Sequence, residues 1–116
     1  MAYNVWSIIE EAKKLPEDTI VYVFAHDEDF FDAQGQRRTR IKTLGKLLSE
    51  KVTLESLVSI VLFTKVSHDN EKSEYTFTTQ NDGTNTAKSP ADMFESFEIE
   101  NNLKLVNDKI REYYGV

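Results

Sequence analysis

The chain has 116 residues, a formal net charge of −6, 40% hydrophobic and 11% aromatic residues, and no cysteine. That length suits one domain, residues 1–116, and that much apolar and aromatic content suits a single folded core rather than disorder. The acidic balance disfavours non-specific nucleic-acid binding by the free chain, and the missing thiols exclude disulfides and thiolate metal sites.

The first stretch, MAYNVWSIIEEAKK, lacks the basic-then-apolar order of a signal peptide. No apolar run approaches the ~20 residues of a membrane helix. A cytoplasmic protein, off the membrane, is expected. Val5, Ile8, Ile9, Ala12 and Leu15 recur at helical spacing between charged residues and predict an amphipathic helix ended by Pro16. Trp6, beside that stripe, reads as a core or interface anchor.

Residues 19–25 form a nearly continuous apolar run, TIVYVFA, which predicts a strand covered on both faces. An acidic turn with Asp27, Glu28, Asp29 and Asp32 is expected next, then a turn at 33–36 around Gly35. Residues 37–43 alternate and read as a strand or extended arm, and 44–48 as a short helix. Residues 59–66 predict another strand, 68–73 a polar hairpin loop, and 74–80 a half-buried antiparallel strand with Tyr75, Phe77 and Thr79 on one face. Asp82-Gly83 marks a turn, and 90–94 a short turn carrying an apolar plug. Residues 102–114 predict a second amphipathic helix, with Leu103, Val106, Ile110 and Tyr113 as its buried stripe. The expected class is α/β or α+β: about four strands in a mixed sheet, flanked by two main helices.

Chemistry-bearing patterns are few. The acidic cluster from Asp27 lacks the Gly and Glu that a calcium loop needs at its sixth and twelfth positions, where Asp32 and Arg38 stand. His26 and His68 are the only histidines; without cysteine a zinc site would need both of them and carboxylates brought together, and no metal is expected. No nucleophile elbow occurs. With Gly35, Gly45, Gly83 and Gly115 alone, no phosphate-cradling GxxxxGK[ST] loop can be assembled, so independent ATP hydrolysis is not expected. Positive charge does concentrate: Arg37, Arg38, Arg40, Lys42 and Lys46 fall within ten residues with no acid among them. In a strand, Arg38, Arg40 and Lys42 share one face. Such a face can bind phosphate, DNA or a partner's carboxylates, or can pair with the acidic segment beside it and discourage aggregation.

Taken in order, His26-Asp27-Glu28, Lys42-Thr43-Leu44-Gly45-Lys46, Tyr75-Thr76-Phe77, Ala87-Lys88-Ser89-Pro90 and Met93-Phe94 resemble the C-terminal half of phage-encoded RecA-like ATP-binding proteins, which serve single-strand annealing and recombination. The resemblance spans nearly the whole chain and implies a partial RecA-like core without the Walker A half. It implies a polar sensor at His26, with Glu28 beside it. It also implies that Lys42 and Lys46, with Lys88 as a further basic contact, reach a neighbouring subunit's nucleotide, where a cation supplied in trans stabilises phosphoryl charge. ATP and magnesium would then be bound only when a partner completes the site.

Three roles follow as expectations. The chain acts with a RecA-like partner subunit in DNA recombination; or it is a small acidic phage protein that inhibits a host nucleic-acid enzyme by charge complementarity; or it is a folded remnant. A remnant would cover its exposed apolar faces by dimerising, with Val5, Trp6 and Ile9 as candidates for that surface.

Overall fold

The computed structural model describes residues 2–42 and 57–116, and the side chains of the first helix from Ser7 onward. Two compact units divide the chain, Met1–Ser59 and Ile60–Val116. Both helices and strands are present, so the fold is α+β. The strands lie in two sheets, one of two strands and one of three, and every pairing is antiparallel. A single mixed sheet is therefore corrected to two antiparallel ones. β1–β2 and β3–β4 each close through a short turn, which antiparallel ladders permit and parallel ones do not, whereas residues 79–97 connect β4 to β5.

In the first unit, α1 spans Ala2–Ala12. Ile9 is buried, whereas Ile8 and Leu15 are exposed. Lys13 and Lys14 reach back to Glu10 and Glu11 at 3.3 and 3.0 Å, on a solvated face. Strands β1 (Asp27–Phe31) and β2 (Arg37–Ile41) form a hairpin. Asp32 N–H donates to Gln36 O at 3.0 Å and Gly35 N–H to Asp32 O at 2.9 Å, leaving a three-residue loop. Gly35 has φ of 80°, the left-handed residue that closes such loops. The Asp32 carboxylate also accepts from the N–H groups of Gln34 and Gln36, both at 2.9 Å.

Two sequence expectations fail here. Residues 27–31 are a strand, not an acidic turn: Glu28 stands opposite Arg40 and Asp29 opposite Thr39, and both carboxylates are bonded across the hairpin. Residues 19–26 carry no strand or helix, and Val21, Tyr22, Val23 and Phe24 are exposed, Phe24 by 81%. An uncharged run becomes a buried strand only when other strands flank it. Here, the ladder of β2 stops one residue upstream of β1, at His26. The expected helix at 44–48 and the motif residues 43–46 lie outside the described residues.

In the second unit the sheet order is β3 (Phe63–Asp69), β4 (Lys72–Thr78), β5 (Glu98–Glu100). β3 and β4 are shifted toward their turn relative to the expected strands 59–66 and 74–80: β3 begins only at Phe63 and β4 ends at Thr78, while both run further into the expected loop. Asp69 pairs with Lys72, so the loop expected over 68–73 shrinks to Asn70 and Glu71, which have φ of 48° and 68°. Both positive values mark a turn whose twist matches that of the strands. Thr79 N–H extends the β4–β5 ladder to Phe97 O at 2.8 Å, and its hydroxyl donates to Ser96 O at 2.7 Å. The fully buried Thr79 thus has its polar groups satisfied, as burial demands. Tyr75 shares a sheet face with Phe77 but is exposed near the hairpin tip; only Phe77 and Thr79 of that expected stripe are buried.

Helix α2 spans Leu103–Tyr114. The Asn102 side chain caps it, accepting from the N–H groups of Lys104 and Leu105 at 2.9 and 3.3 Å, and Gly115 ends it in a left-handed conformation. Val106 and Ile110 are its buried residues; Leu103 and Tyr113, one turn beyond at either end, are exposed. The buried residues of this unit are Val61, Phe77, Ala87, Met93, Val106 and Ile110, joined by Thr78, Thr79 and Asn85. Met93 is the expected plug: it sits behind Pro90, to whose carbonyl its N–H donates at 3.2 Å. No helix among the described residues is long and apolar enough to cross a membrane.

Candidate functional site

The β1–β2 hairpin gathers most of the chemistry-bearing residues that the sequence singles out. Its register pairs Asp27 with Ile41, Glu28 with Arg40, Asp29 with Thr39, Phe30 with Arg38 and Phe31 with Arg37. Lys42 N–H donates to His26 O at 2.7 Å, which adds His26 opposite Lys42. Opposed residues in an antiparallel pair share a face, and faces alternate along each strand. One face therefore carries His26, Glu28, Phe30, Arg38, Arg40 and Lys42. The other carries Asp27, Asp29, Phe31, Arg37, Thr39 and Ile41.

The two faces differ in charge. On the first, three cations stand against one carboxylate. Arg40 Nε donates to Glu28 Oε1 at 3.1 Å, both groups about one-third exposed, and the Arg40 guanidinium carbon lies 4.5 Å from the Phe30 ring centroid. A partly solvated pair of this kind contributes roughly 0.2–1 kcal/mol, and the ring contact about as much again. These contacts orient Arg40 rather than neutralise the face. Arg38 is half-buried, and Lys42 and His26 are exposed.

On the second face the charges cancel more closely. Asp29 Oδ2 takes the Arg37 guanidinium through Nε at 2.9 Å and through Nη2, and Asp29 Oδ1 accepts from the Thr39 hydroxyl at 3.0 Å. These hydrogen bonds, Arg37 first and Thr39 second, hold the Asp29 carboxyl below its ordinary value of 3.8. The basic segment thus divides by strand alternation: Arg37 is spent within the hairpin, while Arg38, Arg40 and Lys42 stand together on the opposite face. Arg37, which the sequence groups with Arg38 and Arg40, does not join them.

Lys88 belongs to the second unit, where its backbone bridges Val61 in both directions at 2.9 and 3.0 Å, and it is half-buried. Lys46 lies outside the described residues, as do the side chains of Val5 and Trp6. Ile9 is buried and offers no surface. Sequence reasoning missed Phe30, whose period-two spacing from Glu28 and position opposite Arg38 could have marked it once 27–31 was read as a strand.

The second unit presents a contrasting surface. On the solvent face of its sheet, Glu74, Thr76, Glu98 and Glu100 surround Lys65 in a shallow hollow. Lys65 Nζ lies 3.2 Å from Glu98 Oε1, which also accepts from the Thr76 hydroxyl at 3.1 Å. His68 Nδ1 and Ser73 Oγ are 2.9 Å apart across the exposed hairpin tip, with no enclosing cleft to support chemistry. Among the described residues no group of three or more potential metal ligands converges. No family model, curated protein or solved structure matches this chain.

Proposed function

We propose that this chain works through a protein partner, without catalysis of its own, and that its contact is the hairpin face bearing Arg38, Arg40 and Lys42. The carrying observation is the sorting of charge within the hairpin. An acidic chain holds three cations on one face, and the acids beside them are largely turned to the other. Such a face suits a phosphate or carboxylate cluster on another subunit. The resemblance to RecA-like ATP-binding proteins supplies the partner class: a nucleotide-binding subunit of phage DNA recombination, whose phosphates Arg40 and Lys42 approach in trans with His26 and Glu28 beside them. ATP and magnesium then belong to the completed, shared site. A host-cell cytoplasm is the corresponding location.

The test mixes the chain with a phage RecA-like ATPase and follows turnover on single-stranded DNA. Altered turnover and co-elution support the reading; unchanged turnover with no co-elution removes it. A second reading draws on the carboxylate-rich sheet face of the second unit, Glu74, Glu98 and Glu100, which suits a basic groove of a host nucleic-acid enzyme. Capture of such an enzyme at low salt, lost in Glu98→Lys and kept in Lys42→Glu, would favour it over the first.

A further inference from the structure

Residues 19–25 are the largest unexplained feature of the described surface. All seven are uncharged, none is Gly or Pro, and Val21, Tyr22, Val23 and Phe24 are exposed by 47%, 38%, 55% and 81%. The composition is that of a strand, rich in β-branched and aromatic residues, yet the run carries no secondary structure. It leads directly into the hairpin through His26. An uncharged β-prone segment adjoining a strand is a template for pairing with another chain.

We infer that this run pairs antiparallel with the same run of a second copy, about a two-fold axis at Tyr22. Two-fold contacts require a self-complementary patch, and the sequence provides one. Centred on Tyr22, the alignment sets Val21 opposite Val23, Ile20 opposite Phe24 and Thr19 opposite Ala25. The first pair beyond them sets the Asp18 carboxylate opposite the His26 imidazole, an acceptor facing a donor. Both hairpin strands are poorer partners, because DEDFF and RRTRI would place charges against the apolar side chains. The other uncharged stretches of seven or more described residues are already engaged: 2–9 lies in α1, 57–64 is largely half-buried or buried, and 75–81 runs through the β4 ladder. Among the described segments of this chain, a second copy of the run is the partner that leaves no charge facing an apolar side chain. The inference is independent of the hairpin face and of any nucleotide-binding partner.

Two variants with equal loss of apolar surface test the register. Val21→Glu with Val23→Lys places opposite charges across the axis twice over, and Val21→Lys with Val23→Lys places like charges there. Both positions are exposed, so neither change disturbs the core. Light scattering is expected to give twice the chain mass for the unaltered protein and for the matched variant, and a single chain for the like-charged one. A unaltered protein that stays a single chain at all concentrations overturns the inference and assigns the run to a different partner. Two variants with the same mass, whichever it is, overturn the proposed axis.

Discussion

The turn between β3 and β4 allows a stabilising substitution to be worked out in advance. Asn70 tolerates a left-handed backbone, but Glu71 holds φ of 68° with a full side chain. That conformation costs an ordinary L-residue roughly 1–2 kcal/mol. Glycine relieves it, at a cost of about 0.4–1 kcal/mol from the greater freedom of the unfolded chain. Glu71 is exposed, so little else changes. Glu71→Gly should therefore stabilise the second unit by about 0.5–1 kcal/mol, which corresponds to about 2–8 °C in Tm for a unit of this size. Glu71→Ala keeps the strain and should leave stability nearly unchanged. Thermal and urea unfolding of the three proteins, followed by circular dichroism, gives the comparison. A midpoint for Glu71→Gly at or below that of the unaltered chain, or an equal gain in Glu71→Ala, would refute the reasoning.

Val106 is 0% exposed, and Val106→Ala should cost about 2–3 kcal/mol by urea unfolding through lost burial and a residual cavity, whereas Tyr113→Ala, on the exposed part of α2, should cost less than half as much. Asn102→Ala removes acceptors from two N–H groups and should cost about 1 kcal/mol, largely recovered in Asn102→Ser or Asn102→Asp. Asp29 has a lowered carboxyl pKa, so its contribution is complete above the ordinary 3.8 and is lost as pH falls below that value, through the depressed folded one. Amide shifts of Arg37 and Thr39 followed by NMR during acid titration should move in that window, and in Asp29→Asn the movement should vanish.

Legibility in the sequence varied with how local the signal was. Helix α2 is readable because its apolar positions recur at helical spacing within one short segment. The Gly35 turn was readable because a left-handed position favours glycine. The Asn70-Glu71 turn was hidden for the complementary reason: no glycine stands there, so strand ends at 67–69 and 72–73 looked like loop. Residues 19–25 misled because an uncharged run has the same composition whether or not strands flank it, and flanking is a property of the whole fold. The acidic stretch at 27–31 misled because its partners, Arg37 to Ile41, are identified only once the register is known. The sharing of a face by Arg38, Arg40 and Lys42 was legible from period two alone. The loss of Arg37 to Asp29 was not, because it depends on the cross-strand neighbour.

The central claim is that the Arg38–Arg40–Lys42 face engages a partner, and one titration tests it directly. Binding of the chain to a RecA-like nucleotide-binding subunit is measured by calorimetry with ATP present, for the unaltered protein, for Lys42→Glu and for Lys72→Glu. Lys42 is an exposed cation on the face, and Lys72 an exposed cation of the other unit. Measurable binding, weakened about tenfold or more by Lys42→Glu, or about 1.4 kcal/mol, and left unchanged by Lys72→Glu, is the result expected. No binding, or equal weakening by both substitutions, would contradict the assignment of that face.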